Sequence, residues 1–463
     1  MKKMSILMTS GLFIVICAAV FLQWNAFSED SGKPAERKEE PSIVASVKVE
    51  SNQLLVKQIF YGLESNRQYQ AVIPSQAVEV KCTDSEENPC EDGSLPKGEK
   101  IQFEYILKTG PGLSLLLNEW MIILKEAAVN KTRIEIIDQY NSKGTWAAGL
   151  PLKGFKKTEL LNYYVFEGVN STPSLYWQEK PLFKLNEQKG IDYYISKKDQ
   201  IIYEFDSLGT FSDNHLSVVI TEGQRTTHGT GLLLVGNKLT NKELERQLAM
   251  ALLASKFGTD RGTEGWTLEA LTSLVTKLEP ETAKSKAMVR ELANTLTAEE
   301  TAAFITYFSK ERQLDVRSLD EYLSSIKGMN TKFFLKNSQK GQAGFPMFFT
   351  DTRSIIVNGN EKDELEVVIK GEEHLFPLVP TMAALGYKVK TGIDFTVMEL
   401  SSDSSQYSFN LKNKTFILDG QSFGLLENPF QYLNGEWYVE KRWLHAIFKV
   451  EFSETDDRLF LET

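Results

Sequence analysis

Cysteine occurs three times and histidine four times in 463 residues. A disulfide-dense scaffold is therefore excluded, and imidazole-based or metal-dependent catalysis has few side chains to draw on. An excess of positive charge is also missing. Lys and Arg total 52 against 62 Asp and Glu, a net charge of −10, which argues against a nucleic-acid binder and its clustered basic surface. Neither Gly (30) nor Pro (14) is enriched, so collagen-like repeats and whole-chain disorder are excluded. The chain has no GxxxxGK[ST] phosphate loop and no G-x-S-x-G nucleophile elbow. What remains is globular composition, 42% apolar and 25% charged, with length for about three domains.

The N-terminus carries an address. Lys2 and Lys3 precede an apolar run over 6–22, broken only by Thr9 and Ser10, and no charge follows until Glu29. Basic residues, an apolar stretch and an acidic flank form an export signal or an N-in membrane anchor, so 1–28 is expected to be one of these. Ala26-Phe27-Ser28 offers a small-x-small cleavage site, and both outcomes stay open. Ile16 before Cys17 opposes a lipoprotein reading. The 29–42 stretch, beginning EDSGKPAERKEE, has little to bury and is expected to be a disordered tether. The resulting expectation is an extracytoplasmic protein, membrane-anchored or secreted, with the cytoplasmic membrane as its first partner. Cys82 and Cys90, in KCTDSEENPCEDG, are expected to form a local disulfide outside the cytoplasm. The acidic residues of that loop (Asp84, Glu86, Glu87, Glu91, Asp92) suit either a calcium site or a solvated, stapled hairpin tip.

The patterning predicts an α+β multidomain chain: a membrane segment, β-rich domains, an α-helical domain, and a C-terminal α+β domain with an internal repeat. Alternating runs such as SIVASVKV and KIQFEYILK place one or two β-rich domains at 43–235. Residues 113–128 fit either a helix or a buried strand. Thr240-Asn-Lys-Glu243 is a capping box opening an α-helical domain over 236–335. Further helices fit 264–278 and 281–296, with starts at Thr297-Ala-Glu-Glu300 and Ser318-Leu-Asp-Glu321 and a stop at Gly328. Residues 336–352 read as an aromatic-rich linker. The last domain, 353–463, repeats one unit: GEEHLFPLVPTMAALGYKVKTG and NGEWYVEKRWLHAIFKVEF share a turn, an aromatic strand, a short helix and a strand.

IIVNGN at 355–360, Phe376-Pro377, Gly386-Tyr387-Lys388-Val389, Tyr438-Val439, Arg442-Trp443-Leu444 and Val450-Glu451-Phe452 resemble the stalk-type domain named after the N-terminal domain of copper amine oxidases. The pattern departs from that family at Val379 and Glu440, which replace an arginine and a proline. The resemblance implies an accessory module of a Gram-positive cell envelope. It implies no copper, because His374 and His445 are isolated in sequence.

Residues 244–275 faintly resemble the helix pair of gluzincin zinc peptidases, with Glu269 in W-x-x-E-A-L. Two imidazoles at i and i+4 and a glutamate on the next helix would hold zinc there. The corresponding positions hold Arg246, Gln247 and Met250, so the resemblance implies a pseudoenzyme scaffold without its ligands. An ordinary helical hairpin accounts for the same residues. Thr226-Thr227-His228-Gly229-Thr230 and Asp213-Asn214-His215 read as turns. The aromatics Tyr163, Tyr164, Phe166, Tyr176 and Trp177 read as core or as a peptide or glycan groove. The expected function is non-catalytic: binding, scaffolding or regulation at the outer membrane face or cell wall, with a wall or surface-protein partner, no cofactor and no nucleic acid. A secreted peptidase or wall hydrolase with an unrecognised site is the alternative.

Overall fold

A computed structural model describes residues 40–463 apart from 87, 91–97, 111, 141–142, 186–189, 198–203, 212–214, 224, 258–264, 312, 339–343, 371–372, 393–395 and 434. The expected export segment and most of the tether, Asp213 and Asn214, and half of the acidic loop lie outside the described residues. Among the described residues no helix is long and apolar enough to cross a membrane. The fold is mixed α+β, multidomain and strand-rich.

Strict alternation builds the first unit. In Ser42–Val49 the residues Ile43, Ala45, Val47 and Val49 are buried and their neighbours are not. Such a strand can cover only one side of a core. Seven strands form its sheet, in the order Leu152–Lys157, Asn162–Gly168, Lys131–Asp138, Ser42–Val49, Gln53–Tyr61, Ile101–Lys108 and Ala77–Thr83. A three-stranded sheet (Ser114–Leu117, Leu175–Gln178, Thr145–Ala148) supplies the facing layer. Trp120, Trp146, Phe60 and Phe166 are buried in the core of this unit. Segment 113–128 contributes two short strands, Ser114–Leu117 and Ile123–Leu124, and no helix. The aromatics Tyr164, Phe166, Tyr176 and Trp177 are buried as core, while Tyr163 is half-buried.

The second unit has a five-stranded sheet, in the order Phe183–Lys184, Ile191–Ile195, Leu216–Thr221, Leu232–Gly236, Thr227–Gly229. Its three central strands are parallel, and every residue of Leu216–Thr221 is buried. A strand apolar on both faces needs cover on both. One face is covered by helices: α1 (Asn241–Ala254), α2 (Gly265–Thr276), α3 (Ala283–Thr295), α4 (Ala298–Lys310), α5 (Val316–Lys327) and α6 (Phe333–Ser338). Ile191, Val218 and Leu233 share a single core with Leu248, Leu271, Phe304 and Phe334. The expected boundary between 235 and 236 therefore falls inside one core and does not separate two. The other sheet face, with Tyr194, Val219 and Leu234, packs on Ala147 and Tyr176 of the first unit.

Both threonine capping boxes form, at Thr240 and Thr297. The fifth helix starts earlier than the pattern suggested. Asp315 caps it and Ser318 sits at its third position, because an Asp side chain reaches the free N–H groups from one turn further back. Residues 336–338, assigned to the linker, complete α6, and Phe333, Phe334, Met347 and Phe349 fill the helical core. Lys256 is buried, and its Nζ donates to the carbonyls of Ser309 (2.7 Å) and Glu311 (2.5 Å), satisfying the end of α4.

Asp320 ties α5 to α6 by accepting the backbone N–H groups of Phe334 (2.8 Å) and Leu335 (2.9 Å). Burial pushes its carboxyl up to about 7, against the pull of these donors. Its folded value lies above its unfolded value of about 4, so between the two the native state holds a proton that the unfolded chain has lost. This group's contribution therefore declines as pH rises through that window. The urea midpoint of wild type is expected to fall from about pH 4.5 to about pH 7.5 relative to Asp320→Asn, whose curve lacks this component. Parallel curves would refute the assignment.

The C-terminal unit realises the internal repeat. Strand Glu373–Pro377 leads into α7 (Leu378–Ala384), and strand Glu436–Glu440 leads into α8 (Lys441–Phe448). The two strands pair antiparallel, Phe376 opposite Val439 and Pro377 opposite Tyr438. Strand Ser354–Val357 runs parallel to the final strand Arg458–Glu462, closing the unit's two ends together.

Candidate functional site

The helix pair α1–α2 is where a peptidase-like centre would lie. The capping box and the apolar face Leu244, Leu248, Ala251 and Leu252 fix α1 against the sheet. This leaves Arg246, Gln247 and Met250 half-buried on its other side. The guanidinium of Arg246 pairs with the Glu281 carboxylate and donates to the Glu279 carbonyl at 2.9 Å. Gln247 Oε1 lies 3.0 Å from Nε2 of His228, on the edge strand Thr227–Gly229.

Glu269, on α2, faces the start of α3. Its Oε1 accepts the backbone N–H groups of Glu281 and Thr282, the latter at 2.9 Å. Its Oε2 lies 2.6 Å from the Thr282 hydroxyl and 2.7 Å from the Ser285 hydroxyl. Burial alone would raise this carboxyl, but the hydrogen bonds from Thr282, Ser285 and Glu281 outweigh it and hold it below the usual range. Glu269 is therefore an acceptor for the N-terminus of α3, whose N-cap is Thr282.

Zinc, which the gluzincin resemblance brings into question, does not fit this donor set. A zinc site needs three protein lone pairs converging on one point. Arg246 has none to give. The Gln247 oxygen is engaged by His228, and both Glu269 oxygens are directed at α3. Met250 offers only a thioether. Among the described residues no cluster of three or more His, Cys, Asp or Glu is placed to hold a metal ion. The sequence had placed these four positions side by side. The structure divides them, with Arg246 and Glu269 both serving the 279–282 turn and Gln247 serving the edge strand. His228 was read as part of a turn but lies on the edge strand Thr227–Gly229, and the Thr282–Ser285 cap was missed, although a threonine before a helical run is a legible capping signal.

Cys82 and Cys90 are joined, with Cα atoms 5.3 Å apart. Asp84 in that loop accepts the backbone N–H groups of Glu86 and Asn88, both at 2.9 Å. This is a turn-forming role that does not require calcium.

In the C-terminal unit, Phe376, Tyr438 and Val450 are buried, and Pro377 is the N-cap of α7. Gly386 follows α7 with φ +88°, a left-handed conformation that favours glycine. Val389 is half-buried. Trp443 packs against the core edge with the Arg442 guanidinium 5.3 Å from its ring centroid. Glu440, where the family has proline, is a buried N-cap of α8 and accepts from Gln431 (2.6 Å) and Arg442 (2.5 Å). His374 and His445, isolated in sequence, line one groove of about 510 Å³ with Glu373, Lys441 and Glu451.

The description "copper amine oxidase N-terminal domain" belongs to the family model that matches residues 356–459, in agreement with the resemblance carried by the repeat. The match covers well under half of the chain. No curated protein matches. Among solved structures the chain is similar to an M1 zinc metallopeptidase from Deinococcus radiodurans (10% identity, 66% of this chain, 95% of that one, TM-score 0.48). A mutant form of the same enzyme gives 10% identity, 67% and 96% coverage and the same TM-score. A two-domain M1 zinc metallopeptidase mutant bound to L-arginine gives 9%, 67%, 95% and 0.48.

Proposed function

We propose that this chain is a non-catalytic protein of a Gram-positive cell envelope, held at the outer membrane face or secreted, that binds or scaffolds a wall or surface-protein partner. The observation that carries this reading is the use of Glu269. A carboxylate already receiving two N–H and two O–H groups is a structural acceptor, and its neighbours Arg246 and Gln247 are likewise engaged by protein groups. The Lys2–Lys3 and apolar 6–22 pattern supports the location, and the family match at 356–459 supports an accessory module.

The experiment is metal analysis of the purified chain with a peptide and peptidoglycan hydrolysis screen on the same sample. The expected result is far less than one zinc per chain and no cleavage. About one zinc per chain with chelator-sensitive cleavage would establish the alternative, a secreted hydrolase, and overturn the proposal. Fractionation of producing cells tests the location, and recovery in the cytosol would overturn it.

A further inference from the structure

The sheet of the C-terminal unit has strand order Lys388–Thr391, Val397–Ser401, Gln406–Asn410, Thr415–Leu418, Gln421–Gly424. An aromatic ladder crosses its inner face. Phe409 is buried under α8, Phe416 stacks on it at 5.2 Å, and Phe423 stacks on Phe416 at 5.0 Å. The core ends before the ladder does. Phe423 is 40% exposed, and Leu426 just beyond is 94% exposed.

Gln421–Gly424 is an edge strand whose four residues are all exposed. Three other sheet edges here carry devices against pairing. Leu152–Lys157 carries Lys153, Lys156 and Lys157. Ala77–Thr83 has a register shift after Val78, with Glu79 at φ +54°, and is stapled at Cys82. The opposite edge of this same sheet carries Lys388 and Lys390. Gln421-Ser-Phe-Gly424 has no charge, no proline and no bulge. The closing pair Leu418–Gln421 flanks the two-residue turn Asp419-Gly420, so alternation turns the N–H and C=O groups of Ser422 and Gly424 outward.

We propose that this edge pairs antiparallel with the same strand of a second copy, joining two five-stranded sheets across a two-fold axis. Charge favours a second copy as the occupant. Each hairpin is acidic at its turn, with exposed Asp419, and basic at its other end, with exposed Lys412 and Lys414, while the carboxylate of Glu427 beyond that end is paired with Arg442 at 2.8 Å. Antiparallel two-fold pairing brings the acidic end of one copy beside the basic end of the other, twice. The neutral strand between them lets chains of net charge −10 approach. The ladder then continues through Phe423 onto its counterpart.

The test is sedimentation velocity of the full chain in a mild detergent, with amide exchange on concentrated and diluted samples. Wild type is expected to be a dimer in which the Ser422 and Gly424 amides exchange slowly and become fast on dilution. Ser422→Lys places like charges across the seam and is expected to weaken association at least about tenfold with an unchanged far-ultraviolet circular dichroism spectrum. Val379→Lys, at an exposed site elsewhere on the same unit, leaves the dimer intact. A monomeric wild type would overturn the proposal, as would a dimer insensitive to Ser422→Lys or one whose edge amides exchange equally fast at both concentrations. The exchange arm needs no variant, so a misfolded mutant does not shield the idea.

Discussion

Glu269→Ala is expected to destabilise the protein by about 3 kcal/mol and to remove no hydrolytic activity. The side chain is only 8% exposed and gathers two N–H groups and two hydroxyls at the start of α3. Truncation leaves these donors facing a small apolar void, and an unsatisfied buried donor costs more than an average hydrogen bond contributes. Arg246 depends on the same turn through Glu279 and Glu281, so the loss spreads to α1. Glu269→Gln keeps one acceptor oxygen and should fall between the two. The pH dependence has a definite sign. The folded carboxyl lies below its ordinary value, so its stabilisation is present above about pH 4.3 and is lost as pH falls through the folded value. The gap between wild type and Glu269→Gln in urea melts should therefore narrow in acid. A wild type that cleaves peptide, with a Glu269→Ala protein of normal stability and no activity, would defeat this account.

Gly149→Ala is expected to cost about 3 kcal/mol or more and to split one unfolding transition into two. Gly149 sits where the first and second units meet. Its N–H donates to the Ser174 carbonyl at 2.8 Å, and its carbonyl accepts from Asn170 Nδ2 at 3.3 Å. A Cβ there would land inside the Thr230 carbonyl oxygen and 3.1 Å from the backbone of Gly231. Backbone cannot swing aside as a long side chain can. Gly231, at φ +70°, faces Gly149 in the same way. Around them Ser174 and Thr230 exchange backbone and side-chain hydrogen bonds. The alanine forces this seam open, and urea denaturation followed by tryptophan fluorescence should show the first unit, with Trp120 and Trp146, melting apart from the helical unit. A single unshifted transition would show that the seam bears no load.

The amphipathic periods made much of this legible. Alternation in Ser42–Val49 and capping at Thr240 and Thr297 are local facts, since which face a residue takes and which N–H a threonine can reach depend on a few neighbours. The repeat around Phe376 and Tyr438 is local in the same sense. The boundary near 235 failed for a non-local reason. Runs such as LSVVIT carry apolar residues on both faces, and sequence cannot say whether a second sheet or a layer of helices covers them. The stretch 336–352 looked like a linker because its aromatics have no period, yet Met347 and Phe349 are buried in the helical core together with Phe333 and Phe334 of the preceding segment.

The candidate site divides along the same line. Sequence alone determined that no imidazole stands at the two positions on α1, because residue identity needs no fold. It also determined the cysteine pair, the charge balance and the repeat. Only tertiary structure decided what the remaining residues do. Glu269 could have pointed to solvent, to a metal or to a helix end, and a carboxylate's role is set by which donors surround it. Its donors lie 12 to 16 residues away in sequence, and the packing of α2 on α3 brings them together. The Gly149–Gly231 contact and the bare edge at Gln421–Gly424 are likewise distances between backbones, which sequence does not encode locally and the fold fixes.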